Sequence, residues 1–170
     1  MQTKKIKTKG FSLIELMIVI AIIGIIITIT AGAYQKNLQR RKAESISYEI
    51  QQAINTTRDF TLTGEVIGDQ LPAFFKLKII PNPKTETAEI QINAYDKNDS
   101  FINTAKTIEL TDYNKNIEIQ GNINEDIAYK TPNADLEGAP FTINVCGDQT
   151  CSNTSMKYEI TINQNSVSIQ

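Results

Sequence analysis

Two hydrophobic periods divide the chain. From Phe11 to Tyr34 the run FSLIELMIVIAIIGIIITITAGAY is apolar on every face, and positions 16–35 carry no charge over 20 residues. At 1.5 Å per residue such a run spans about 30 Å as a helix, the thickness of a bilayer core. Beyond it the pattern turns amphipathic. Ala43, Ile46, Ile50, Ala53 and Ile54 recur at three- and four-residue spacing, with Arg41, Lys42, Glu44, Glu49 and Gln52 between them. One helix is therefore predicted from about Ser12 to Phe60, its second half laying an apolar stripe against a globular head. Thr61-Leu62-Thr63-Gly64 supplies the stop, with Gly64 free to take the left-handed turn that ends helices.

Past Gly64 the period falls to two. Strands are predicted at 74–80, 89–94, 106–110, 116–120, 127–130, 141–146, 157–163 and 166–170. Turn-rich pieces separate them: Pro81-Asn82-Pro83, Asp96-Lys97-Asn98-Asp99-Ser100 and Thr131-Pro132-Asn133. The last two strands, around Gln164-Asn165, read as a closing hairpin. One long helix followed by short strands predicts an α+β fold, with an antiparallel head that is a small sandwich or a curled sheet. Four segments follow: a leader at 1–10, a transmembrane half-helix at 11–34, an amphipathic half-helix at 35–63, and a β-rich head at 64–170.

Composition narrows the chemistry. There is no His, so His-based catalytic triads and His-ligated metal sites are excluded, and two Cys are too few to hold zinc alone. Ile outnumbers Leu 28 to 8, and Thr (18) and Asn (15) are abundant, a balance that favours strands and turns. No enzymatic activity, cofactor or metal is expected. Four of the 17 basic residues (Lys4, Lys5, Lys7, Lys9) lie in the leader, leaving 13 against 19 acids, or −6, for the rest. An acidic body is a poor partner for nucleic acid, which needs clustered positive charge. The segment from Tyr158 to the C-terminus adds Glu159 and no Lys or Arg, so direct DNA binding there is not expected either.

The apolar run could belong to an ordinary secretory signal peptide, and Ala31-Gly32-Ala33 resembles a cleavage site. Its length exceeds the usual 7–15 apolar residues, however, and Glu15 sits inside it. A carboxylate at the bilayer centre costs roughly 2.5–3.5 kcal/mol, less near an edge. Such a group needs a reason. Charge does not fix the orientation, because Lys36, Arg40, Arg41 and Lys42 beyond the run balance the leader lysines.

Lys9-Gly10-Phe11-Ser12-Leu13-Ile14-Glu15-Leu16 resembles the leader junction of type IV pilins and type II secretion pseudopilins. The resemblance implies that prepilin peptidase cuts between Gly10 and Phe11 and methylates the new Phe11 amine. It also implies assembly through the N-terminal helix, with Glu15 of one subunit paired to the Phe11 amine of its neighbour and so fixing axial register. The partners implied are other pilin subunits, the peptidase, an inner-membrane assembly platform, and the bilayer before assembly. The head would lie outside the cytoplasm, first on a single-pass membrane anchor and then in a periplasmic or extracellular filament. Many pilins carry a proline where this chain has Gly32, so no fixed bend is implied there. The helix end at 50–60 and the closing hairpin resemble minor pilins of the FimT/GspH kind, and the Gly-x-Tyr-Pro segment usual in major pseudopilins is absent. The alternative is a secreted or anchored β-domain, adhesin-like, with an ordinary signal segment.

Two features of the head remain. Cys146 and Cys151 enclose Gly147-Asp148-Gln149-Thr150, enough to turn a hairpin, in a compartment where disulfides persist. A structural disulfide is expected, with two free thiols or a redox pair as alternatives. Asp96-Lys97-Asn98-Asp99 and Asp112-Tyr113-Asn114-Lys115-Asn116 offer oxygens that calcium could use. Both lack the glycine and distal Glu of an EF-hand loop, and solvated turns are the expected reading.

Overall fold

The computed structural model describes residues 12–82, 85–121, 123, 127–138, 140–164 and 166–170. Gly10 and Phe11, on which the predicted cleavage and methylation fall, lie outside the described residues. The chain divides into two compact units, Met1–Asn37 and Leu38–Gln170. The unit boundary falls three residues beyond the predicted end of the membrane half, and from Leu38 onward the amphipathic half-helix belongs to the same unit as the strands.

Helix α1 runs over Leu13–Thr63 without a break. It ends as its sequence predicts, though three residues later than Phe60. Gly64 takes φ +65°, and the Glu65 N–H donates to the Phe60 carbonyl at 3.0 Å. That is the 6→1 bond of a Schellman motif, which satisfies a carbonyl the helix end would otherwise leave open. Within the first unit, none of the apolar window is buried: Leu13 is 76% exposed and Ile25 62%. Gly24 and Gly32 both face open space.

In the second unit the predicted stripe is the buried face of the helix. Ala43, Ile46, Ile50, Ala53 and Ile54 are all fully buried. So are three polar residues that periodicity does not mark, Ser47, Thr57 and Thr61. Each donates its hydroxyl to the carbonyl four residues back, at 2.8, 2.8 and 2.7 Å, so all three buried hydroxyls are paired.

Nine strands make up the described head: β1 (Phe74–Asn82), β2 (Thr87–Tyr95), β3 (Phe101–Glu109), β4 (Glu118–Gly121), β5 (Ile127–Lys130), β6 (Asp135–Glu137), β7 (Phe141–Cys146), β8 (Lys157–Asn163) and β9 (Ser166–Ile169). They form two antiparallel sheets, ordered β3-β2-β1-β5-β6 and β4-β7-β8-β9. The α+β class and the packed, unclosed sheets agree with the sequence reading. The closing hairpin is β8–β9, with Asn163 opposite Ser166.

Several strand bounds differ: β1 runs on to Asn82 and takes in Pro81 and Asn82 of a predicted turn, β2 covers Thr87–Tyr95, and β9 stops at Ile169. The predicted strand at 106–110 begins at Phe101 instead, because β3 is an edge strand whose pairing with β2 shifts register twice, and the shifts break its alternation. The strand expected at 116–120 is displaced to Glu118–Gly121. Strand β6 was not predicted, since three residues with one apolar position carry no period.

The helix stripe and both sheets contribute to one continuous core. Leu77, Ile79, Ile90, Ile127 and Tyr129 come from the first sheet, and Ile119, Ile143, Val145, Ile160 and Ile162 from the second. Burial pushes the Tyr129 phenol up to about 12, so it packs as a neutral side chain. A smaller cluster of Phe75, Ile92 and Ala94 is backed by Phe60, whose ring lies 5.8 Å from that of Phe75.

Candidate assembly site on the N-terminal helix

Glu15 stands in the first turn of α1, the one acidic residue there. Its Oε2 accepts the backbone N–H of Ser12 at 3.0 Å. Ser12 occupies the N-cap position and Glu15 the third helical position, so Ser12-Leu13-Ile14-Glu15 is a capping-box sequence whose Glu half is formed. The carboxylate thus satisfies one of the free N–H groups of the helix start and lies at the positive end of the helix dipole. The S-x-x-E pattern of Ser12–Glu15 is the sequence signal of this contact, which the predicted pairing with a Phe11 amine does not include. In the same apolar unit, the Thr28 hydroxyl is satisfied by the Gly24 carbonyl at 2.8 Å. A helix with its polar groups internally bonded and apolar side chains on all sides is suited to lipid or to packing among similar helices.

The two cysteines are joined. Cys146 and Cys151 form a disulfide with Cα atoms 5.2 Å apart. Asp148 organises the loop it closes: its Oδ2 accepts the N–H groups of Ser152 and Asn153 at 3.2 and 3.1 Å and the Ser152 hydroxyl at 3.1 Å. The Gly147 N–H donates to the Met156 carbonyl at 2.9 Å. A Cβ at Gly147 would stand 3.1 Å from the Gln39 carbonyl oxygen, so the loop approaches α1 closely there. The loop encloses few residues, which places its entropic stabilisation near the lower end of 2–4 kcal/mol. Replacing both cysteines with Ser is expected to lower the stability of the head by about 2 kcal/mol, read as a shift of the denaturant midpoint. Non-reducing peptide mapping should recover the 146–151 link, and two alkylatable thiols in folded protein would contradict it.

The two oxygen-rich loops are occupied by their own backbone. Asp96 Oδ1 accepts the N–H groups of Ser100 and Asn98 at 2.8 Å each, and these bonds hold its carboxyl below the usual range. Asp99 pairs with Lys76. In the second loop Asn114 Oδ1 accepts the Asn116 N–H at 2.9 Å. Among the described residues no group of three or more Asp, Glu or Cys is placed to hold a metal ion.

One further link was not predicted. Arg40 Nε donates to the Tyr158 hydroxyl at 3.3 Å, and that hydroxyl donates to Glu44 Oε2 at 3.4 Å. The Arg40 guanidinium is shifted up in pKa chiefly by this hydrogen bond. Helix α1 is thereby tied to β8 at the start of the second unit.

Comparison with known proteins bears on the first unit. Residues 5–31 match the family model of the prokaryotic N-terminal methylation motif. The N-terminal segment carries that methylation motif. The fimbrial protein EcpB of Eikenella corrodens is 50% identical over 44 residues, 26% of this chain and 28% of that protein. No solved structure matches the chain significantly. The motif match spans Glu15 and most of the leader and apolar run, whereas the β-rich head stands on its own geometry.

Proposed function

We propose that the chain is a non-catalytic structural subunit, a minor pilin or pseudopilin, of a type IV pilus or type II secretion-type filament. In this reading prepilin peptidase cuts between Gly10 and Phe11 and methylates Phe11. The apolar half-helix holds the protein in the cytoplasmic membrane with the head outside, until an assembly platform transfers it into a filament of similar subunits. The observation that carries the reading is a single acid, Glu15, four residues beyond Phe11 in the sequence, in the first turn of an unburied apolar helix that overlaps the methylation-motif match. A plain anchor gains from that carboxylate only a cap on its first turn, which an uncharged side chain such as Gln supplies as well. A packed bundle of helices gains a partner for each free N-terminal amine. The two-sheet head ending in the β8–β9 hairpin supports the minor-pilin branch.

Mass spectrometry of the mature N-terminus tests the processing. The chain should begin with N-methylated Phe11, and Gly10→Val should leave the leader attached by crowding the peptidase site. A mature chain beginning at Tyr34 would replace this reading with that of a secreted β-domain.

A further inference from the structure

Beside Arg40, the cations Arg41 and Lys42 are unexplained by the fold and by the filament reading. Arg40 is engaged by Tyr158, as described above. Arg41 is exposed and Lys42 half-buried, and among the described residues neither forms an ion pair, although the chain beyond its leader is acidic. If the head lies outside the cytoplasm, these cations also stand on the wrong side, since Lys and Arg flanking a membrane span normally favour the cytoplasmic face. Their presence there calls for a compensating partner.

We propose that Arg41 and Lys42, with Arg40 beside them, form a basic collar that binds anionic phospholipid headgroups on the face of the membrane from which the head projects. The proposal rests on the membrane-anchored reading above. Sequence position is its first support. The uncharged run ends at Gln35, Lys36 follows at once, and the three adjacent cations come five to seven residues after Gln35. Cations this close in sequence to the end of a span belong to its juxtamembrane segment, where anionic headgroups attract them. Arg and Lys side chains reach those headgroups by extending their charged heads along the helix towards the interface.

Angular spread is the second support. Consecutive helical positions are about 100° apart, so three adjacent cations cover more than half of the helix circumference. The buried stripe through Ala43 and Ile46 occupies much of the remaining arc. Charges fanned in this way fit no single flat protein face. They do fit headgroups arranged around the stem. A layer of anionic lipid attracts each nearby Lys or Arg enough to change its occupancy about fivefold, an effect that fades within a Debye length.

The test uses the full chain and its R41Q/K42Q variant in mixed phosphatidylcholine–phosphatidylglycerol vesicles. Native mass spectrometry of the released protein–lipid complexes gives the ratio of the two lipids retained. The leader lysines are common to both proteins, so the difference isolates the collar. Wild-type protein should favour phosphatidylglycerol, and the variant should lose roughly fivefold of that preference per charge removed. Arg41→Lys should keep the preference, and raised salt should erase it. Flotation of the vesicles is scored in parallel. Failure of the chain to float would overturn both the anchored reading and the collar. Flotation with equal lipid ratios for wild type and R41Q/K42Q would overturn the collar alone. So would a photo-cross-linker at position 41 that captures a second copy of the chain in preference to lipid, since a neighbouring subunit would then be the partner.

Discussion

Glu15→Val is expected to give a processed, membrane-resident protein whose incorporation into filaments falls by more than a hundredfold. In a single membrane-embedded chain the substitution removes an expensive charge, so retention in the membrane should be unchanged or improved. In a bundle the same change strips the partner from a neighbouring Phe11 amine, and an uncompensated buried charge costs about 3–5 kcal/mol. The capping contact to Ser12 complicates this, because Val removes that as well. Glu15→Gln separates the two effects: its amide oxygen can still accept the Ser12 N–H, but it carries no charge. If charge pairing sets the register, Gln should be nearly as defective as Val. If capping of the first turn matters most, Gln should restore much of the incorporation. The measurement is the ratio of sheared-filament to membrane-bound protein. Wild-type ratios for both variants would remove Glu15 from the assembly contact altogether.

What could be read from the sequence was whatever repeats or costs energy. The stripe from Ala43 to Ile54 was legible because burial against a core imposes a 3.6-residue period. Glu15 was legible because a lone carboxylate in an apolar run is too costly to be incidental. Ser47, Thr57 and Thr61 were not, because back-bonding to their own helix lets hydroxyls occupy core positions that a polarity pattern assigns to solvent. The first half of β3 was hidden by the register shifts of an edge strand. Pairing order was beyond reach as well. Strand β1 lies between β2 and β5, and a period of two says which face a residue occupies but not which strand is its neighbour. At the candidate site the geometry added partners rather than new actors: Ser12 for Glu15, Asp148 for the cysteine loop, and Tyr158 for Arg40.

The two halves of α1 carry isoleucines of opposite fate, and truncating one of each should separate anchoring from folding. Ile50 is fully buried among the helix stripe and both sheets, whereas Ile25 is 62% exposed in the apolar unit. Ile50→Ala removes core contacts and leaves a cavity, costing about 2–5 kcal/mol. For a unit of this size that corresponds to a fall in the melting temperature of the head on the order of 10 °C. Ile25→Ala has no packed core to lose, so the head should melt as in the wild type. Thermal unfolding of the detergent-solubilised chain, followed by near-ultraviolet circular dichroism, reads both. Processing at Gly10 should survive in each variant, because the leader junction is far in sequence from either position. A drop of similar size for Ile25→Ala would show that the apolar half-helix is part of the cooperative fold of the head. The separation of the chain into an exposed assembly helix and a self-sufficient β-rich unit would then be wrong.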